Sequence, residues 1–153
     1  MTLQRKLSMA LVAVAVVAAF PAPAQAGGAK LGWQLTPTGT QAQFRGLAPV
    51  SARVAWVAGS AGTILRTVDG GRSWASVGPA DAAALQFRDI EAFDATHAVA
   101  LTIGEGTDSR LYRTADGGRS WRVQPTAGMP AALTGEFAFA ASGTCLVSAD
   151  HLG

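Results

Sequence analysis

Short apolar segments separated by glycine-rich turns run through most of the chain. The segments 54–58 and 98–103 are β-rich and are followed by glycine, and Asp-Gly-Gly turns follow the short segments 63–67 and 110–114. No segment after residue 26 repeats its apolar positions at the 3.6-residue helical period, so the pattern predicts strands. The expected strands are 54–58, 63–67, 73–77, 98–103, 110–114 and 120–124, with turns at 69–71 and 116–118.

The first 26 residues have a different pattern. Arg5 and Lys6 precede an apolar run over 7–20, and small residues at Ala24 and Ala26 close the segment. This layout predicts a secretory signal peptide cleaved after Ala26. An uncleaved membrane anchor is the alternative, but a run of 14 residues is short for a bilayer-spanning helix. Contact with a membrane is therefore expected only through an uncleaved signal segment.

The remaining chain contains an internal repeat. Residues 66–74 and 113–121 are identical except for Val68 and Ala115, and their tryptophans lie 47 positions apart. A period in the forties fits a four-stranded propeller blade or a helical HEAT-type repeat. Because the segments are short and β-rich, we predict an all-β fold of antiparallel four-stranded propeller blades.

After the signal peptide, the repeat predicts blades that form an incomplete ring. Gly32–Leu35 resembles the last strand of a blade, and Trp33 could therefore belong to a strand that closes a ring. The predicted organisation, about two and a half blades, is 1–26 signal peptide, 27–42 N-terminal segment with the closing strand, 43–79 blade 1, 80–124 blade 2, 125–135 linker and 136–153 the start of a further, truncated blade.

The repeated turn resembles the Asp-box, or BNR repeat, with the pattern Ser/Thr-x-Asp-x-Gly-x-x-Trp. Its aspartate accepts backbone hydrogen bonds, its glycine permits positive φ, and its tryptophan buries a large apolar surface. A catalytic or metal-binding role for the aspartates is the alternative, but the same residue in every blade turn favours a structural role. The matching residues are Thr67, Asp69, Gly71, Trp74, Thr114, Asp116, Gly118 and Trp121.

Arginines also repeat between the two blades. Such repetition could place a stripe of guanidinium groups on one face of a ring, suited to an acidic protein or to carboxylates. The alternative is that they are solvated residues of turns and strand edges. The candidate partner-binding arginines are Arg45, Arg66, Arg72, Arg88, Arg113 and Arg119.

Composition narrows the chemistry further. Without the signal segment, 10 basic residues face 10 acidic ones, which argues against a nucleic-acid partner. The single cysteine, Cys145, excludes an intrachain disulfide and is expected to be buried. His97 and His151 lack metal-ligand spacing, and Glu105 with Asp108 supplies too few oxygens for calcium. We therefore expect no metal, no cofactor and no catalytic residues.

Residues 45–47, 54–60 and 62–74 together resemble the photosystem II assembly and stability factors of the Ycf48/HCF136-like family, within the WD40/YVTN/sialidase-like propellers. The resemblance covers about residues 33–150. It implies an exported, non-catalytic, seven-bladed propeller that holds a protein partner. Since a propeller closes with about four to eight blades, we expect this sequence to be a truncated product or part of a longer protein.

Three functions compete at this point. The first is a protein-binding or assembly module, and the second is a sialidase-like hydrolase, in which Tyr112 would be the nucleophile with Asp89 or Glu91 as partner. The third is a non-functional remnant whose open strand edges cause self-association. An oxidoreductase has no support, because a dinucleotide fingerprint and a CxxC motif are both missing from the sequence. The sequence favours the first function and a non-enzyme, and leaves the partner's identity open.

Overall fold

The computed structural model describes residues 32–128, 130–131, 133–138 and 146–147. The chain divides into two compact units, Met1–Trp33 and Gln34–Gly153, and the described fold belongs to the second. The predicted signal peptide with Ala24 and Ala26 lies outside the described residues, as do Cys145 and His151. Trp33 lies in a stretch without regular secondary structure, so its role in a closing strand stays a prediction.

Blade 1 is a four-stranded antiparallel sheet. Its strands are β1 Phe44–Pro49, β2 Ala55–Gly59, β3 Ile64–Thr67 and β4 Ala75–Ser76. They pair in chain order, β1-β2-β3-β4, which is the meander expected of a propeller blade. The prediction of four strands per repeat is confirmed here.

Blade 2 repeats this arrangement. Its strands are β5 Gln86–Ala92, β6 Ala98–Glu105, β7 Leu111–Thr114 and β8 Arg122–Val123. A short 3-10 helix, Gly106–Asp108, occupies the longer loop between β6 and β7. A ninth strand, β9 Phe137–Ala138, pairs antiparallel with the end of β6.

The outer strands are shorter than predicted. The pattern predicts strands over 73–77 and 120–124, whereas β4 and β8 contain two residues each. The Asp-box explains the difference, because its aspartate accepts the backbone N–H of Ser73 or Ser120 and keeps that residue in the turn. Among the described residues, no helix is long and apolar enough to cross a membrane.

The hydrophobic core lies between the two blades. Paired residues of neighbouring strands share a face of the sheet, and successive residues alternate between faces. In blade 1 the row Ala48, Trp56, Arg66, Ala75 faces blade 2. In blade 2 the row Ile90, Ala100, Tyr112, Val123 faces blade 1. These two rows supply much of the buried core.

Candidate functional site

Two repeated arginines occupy β-bulges in the first strands of the blades. In β1, Phe44 lies opposite Gly59 and Gly46 lies opposite Ala58, which leaves Arg45 as an extra residue. A bulge of this kind bends a strand and redirects a side chain, and bulges are frequent near functional sites.

The same irregularity occurs in β5. Phe87 lies opposite Thr102 and Asp89 lies opposite Leu101, so Arg88 is the extra residue. Arg45 is exposed and Arg88 is half-buried. The fold therefore directs equivalent arginines out of the regular strand alternation in both blades.

Both arginines line one shallow depression at the boundary between the blades. Its volume is about 140 Å³. The guanidinium Nη2 of Arg45 donates to Oε1 of Gln43 at 3.3 Å, and the backbone N–H of Gln43 donates to Oγ of Ser60 at 2.9 Å. The lining residues are Gln43, Arg45, Ser60, Gln86, Phe87, Arg88 and Ile103.

The lining chemistry favours an anion. The residues that line the depression include two guanidinium groups, two amides and a hydroxyl, and none of these lining residues is acidic. A guanidinium group presents its donors in a planar fork that matches a carboxylate. The depression can therefore accept an acidic side chain or a chain terminus.

The other candidate arginines lie elsewhere. Arg66 lies between the blades, where Nη1 donates to the carbonyl oxygen of Ala95 at 2.6 Å and the guanidinium carbon lies 5.4 Å from the Trp56 ring centroid. Its buried Nε has no hydrogen-bond partner in the described part of the chain. The guanidinium group of Arg66 therefore links the two blades and does not face a partner-binding surface.

The remaining three arginines do not join the depression. Arg72 and Arg119 lie in the Asp-box turns and are exposed. Arg113 is exposed on the face of blade 2 that points away from blade 1. The six arginines therefore do not form one stripe; Arg45 and Arg88 line the same depression, and the other four lie outside it.

Each Asp-box closes its own turn. The hydroxyl of Thr67 donates to Oδ1 of Asp69 at 2.8 Å and accepts the N–H of Gly71 at 2.9 Å. Oδ1 of Asp69 also accepts the N–H of Ser73 at 3.0 Å, and Oδ2 accepts the Ser73 hydroxyl at 2.6 Å. The second box, built on Thr114, Asp116 and Ser120, has the same bonds. Their carboxylates are therefore occupied by the turn.

These bonds stabilise the charged carboxylates. The hydroxyl of Ser120, followed by its backbone N–H, lowers the pKa of Asp116 to about 2. The hydroxyl and backbone N–H of Ser73 lower the pKa of Asp69 further. A general acid at neutral pH needs a raised pKa, so the lowered values fit a structural role.

The tryptophan of the second box connects the two blades. The indole N–H of Trp121 donates to the carbonyl oxygen of Val77 in blade 1 at 2.6 Å. The Trp121 ring meets Trp56 edge-to-face, with centroids 6.3 Å apart and planes at 85°. The tryptophan of the first box, Trp74, is half-buried at the equivalent position of blade 1.

Asp89 of blade 2 is buried and holds a distant part of the chain, a role that the sequence analysis did not predict. Asp89 follows the bulge of β5, and Oδ1 accepts the N–H of Ile90 at 2.9 Å. Oδ2 accepts the N–H of Leu146 at 2.8 Å, which anchors a distant segment of chain on blade 2. The one sequence feature that distinguishes this position is that blade 2 has Asp89 where blade 1 has Gly46.

The residues of the hydrolase alternative do not form an open site. Tyr112 is buried, its ring meets Phe87 edge-to-face at 5.6 Å, and its hydroxyl lies 3.4 Å from Nη1 of Arg110. His97 Nδ1 lies 2.9 Å from Oδ2 of Asp94 within one turn. No group of three metal-ligating side chains lies together among the described residues, including around Glu105 and Asp108.

Comparison with known proteins shows a match in fold. No family model matches the chain, and no curated protein matches it. The structure titled "YCF48 from Cyanidioschyzon merolae" superposes with a TM-score of 0.51 at 20% identity, over 65% of this chain and 31% of that chain. The structure titled "YCF48 bound to D1 peptide" gives 0.49 at 22% identity, over 61% and 30%. The superposition on the Cyanidioschyzon merolae structure shows a Ycf48-like β-propeller fold. The chain spans about a third of the length of each of the two chains.

Proposed function

We propose that this chain is an exported, non-catalytic β-propeller module that binds another protein, in the manner of an assembly factor. The bulge arginines Arg45 and Arg88, which line one depression, are the observation that carries this proposal. The partner is expected to offer an acidic segment. The Asp-boxes and Arg66 support the blades and are not part of the contact.

The placement of the two arginines explains how one segment could engage both. A bulge re-aims the side chain of its extra residue, and both guanidinium groups line the same depression. Gln43 and Ser60 keep polar groups beside Arg45. A carboxylate in the depression can accept paired hydrogen bonds from each guanidinium group.

Peptide binding tests this function. The probe is a fluorescently labelled peptide of alternating Glu and Gly residues, and its Gln-Gly counterpart is the neutral probe. For the double variant Arg45→Gln, Arg88→Gln we expect at least a ~10-fold rise in Kd by fluorescence polarisation, because charge-assisted hydrogen bonds contribute about 1.5–3 kcal/mol each.

The control changes the same charge at exposed turns. Arg72→Gln with Arg119→Gln should leave the Kd within about twofold, since both side chains lie outside the depression. Equal losses in the two double variants would show unspecific attraction and contradict the proposed site. Equal affinity for the neutral probe would contradict it as well.

Export rests on the sequence pattern of residues 1–26. Expression of the complete chain in a bacterium, followed by N-terminal sequencing of the periplasmic fraction, should give Gly27 as the first residue. A chain that starts at Met1 and stays in the cytoplasm would contradict export.

A further inference from the structure

The depression between the blades is built from two copies of one sequence triplet. Residues 43–45 and 86–88 both read Gln-Phe-Arg, and the glutamine and the arginine of each triplet line the depression. Each blade therefore contributes one amide and one guanidinium group. These shared positions give the two sides of the depression the same polar chemistry, so a difference between the sides has to come from another lining residue.

One pair of equivalent lining positions differs between the blades. The backbone N–H of Gln43 donates to Oγ of Ser60 at 2.9 Å, and the carbonyl oxygen of Gln43 accepts the N–H of Ser60 at 3.1 Å, which places Ser60 opposite Gln43. In blade 2 the residue opposite Gln86 is Ile103. A hydroxyl in blade 1 thus corresponds to a branched aliphatic side chain in blade 2, and the depression has a polar side and an apolar side.

Ile103 is an apolar lining residue whose side chain is still accessible. Two apolar residues, Phe87 and Ile103, occur among the lining residues that the structure describes. Phe87 is completely buried, and its ring meets Tyr112 edge-to-face with centroids 5.6 Å apart. Ile103 is half-buried. Because burial of apolar surface from water is favourable roughly in proportion to its area, Ile103 can add to ligand binding where Phe87 cannot.

We infer that the depression recognises an acidic residue next to an aliphatic residue in an internal segment of the protein partner. The carboxylate accepts hydrogen bonds from Arg45 and Arg88, and the aliphatic side chain lies on Ile103. The volume of about 140 Å³ is smaller than the roughly 300–1,000 Å³ of small-molecule sites, so it suits neighbouring side chains of a longer chain. The inference rests on the proposed function, because it assigns the second residue of the same bound segment.

Two peptides and two forms of the chain make the test. The first peptide is the labelled Glu-Gly probe, capped at both ends, and the second has leucine in place of the two glycines that flank its central Glu. For the unchanged chain we expect the leucine peptide to have a Kd about fourfold lower by fluorescence polarisation, the factor that corresponds to one buried methylene group. For Ile103→Ser the two peptides should bind within about twofold, and the Kd of the Glu-Gly peptide should stay the same.

The matched control removes an exposed aliphatic side chain elsewhere. Val68 is 47% exposed in the first Asp-box turn and lies outside the depression, so Val68→Ser should keep the fourfold difference. Ser60→Ile gives blade 1 the residue of blade 2 and should enlarge the difference, which provides a test independent of Ile103→Ser. Coinciding circular dichroism spectra of the variants and the unchanged chain exclude unfolding as the cause.

The outcomes separate this inference from the proposed function. Equal affinity of the unchanged chain for the two peptides would overturn the inference, and so would a fourfold difference that persists in Ile103→Ser. In either case, binding of the Glu-Gly peptide that depends on Arg45 and Arg88 would leave the proposed function intact. A Glu-Gly peptide that does not bind the chain would contradict both.

Discussion

Gly71 and Gly118 occupy the same position of the two Asp-box turns, with the same φ of +82°, but have different surroundings. A Cβ on Gly71 would meet only Trp74, at 3.9 Å. A Cβ on Gly118 would lie 2.6 Å from the Cβ of Val77 in blade 1. The same glycine therefore permits a turn in one blade, and both a turn and a close contact in the other.

This pair gives a residue-scale prediction. Gly71→Ala should lower the free energy of unfolding by about 1–2 kcal/mol, the cost of a left-handed conformation for alanine. Gly118→Ala should cost about 1–3 kcal/mol more, because Val77 must move. Urea unfolding of the two variants measures the difference. Equal losses would mean that the blades do not contact each other at this turn.

The Asp-box carboxylates predict an acid dependence. Because hydrogen bonds hold the folded pKa of Asp69 and Asp116 below the ordinary aspartate value of 3.8, their stabilisation is present above about pH 4. It is lost as the pH falls toward the folded values, about 2 for Asp116. The urea midpoint should therefore drop between pH 4 and pH 2.

Asn substitution provides the control for this acid dependence. The double variant Asp69→Asn, Asp116→Asn should start with a lower midpoint and lose less of it over the same range. An unchanged acid slope in this variant would assign the dependence to other groups, including Asp94, whose pKa the Thr96 and His97 bonds also lower.

At the scale of elements, the sequence was sufficient to predict the strands but not their registers. Short β-rich segments, the Asp-Gly-Gly turns and the repeat period predicted four strands in each of two blades, and the structure confirms them. The bulges at Arg45 and Arg88 could not be predicted, because one extra residue changes no local propensity. The long-range bond from Leu146 to Asp89 also has no local signal, since it joins residues 57 positions apart.

For the candidate site too, the sequence predicted the residues but not their surroundings. The repeat identified equivalent arginines, but it could not separate Arg66, which donates to Ala95, from Arg45 and Arg88. All six repeat equally well in the sequence, and only the strand registers and the blade contact distinguish their surroundings. The arginine pair at one depression is therefore a result of the structure.

The Trp121 contact predicts an asymmetry between the two boxes. Trp121→Phe removes the indole N–H that Val77 accepts, and the loss of this hydrogen bond should cost about 1 kcal/mol beyond the effect of the smaller ring. Trp74→Phe is the matched control, because no hydrogen bond of its indole occurs within the described residues. Guanidinium unfolding followed by circular dichroism compares the two. A larger loss for Trp74→Phe would contradict the asymmetry.

For the whole molecule, the position of the core between the blades predicts a single unfolding transition. Trp56 is fully buried at this boundary, and its indole N–H donates to Asp94 of blade 2 at 3.0 Å. Trp56→Ala should cost about 3–5 kcal/mol, typical of a large buried aromatic. Amide hydrogen exchange should then accelerate in β2 and β6 together. Acceleration confined to blade 1 would show that blade 2 is stable alone.

The location of the core also has a consequence for how such a gene can grow. Duplication of one repeat adds a blade and also a new interface between blades. That interface brings the close approach of Gly118 to Val77 and the hydrogen bond from the Trp121 indole to the Val77 carbonyl. A single repeat would lack the buried core that forms between blades. The smallest stable unit is therefore a pair of neighbouring repeats. A change at a packed position of that interface, such as Gly118 or Val77, therefore affects two blades at once. A change at an exposed position such as Arg45 leaves the packed interface unaltered.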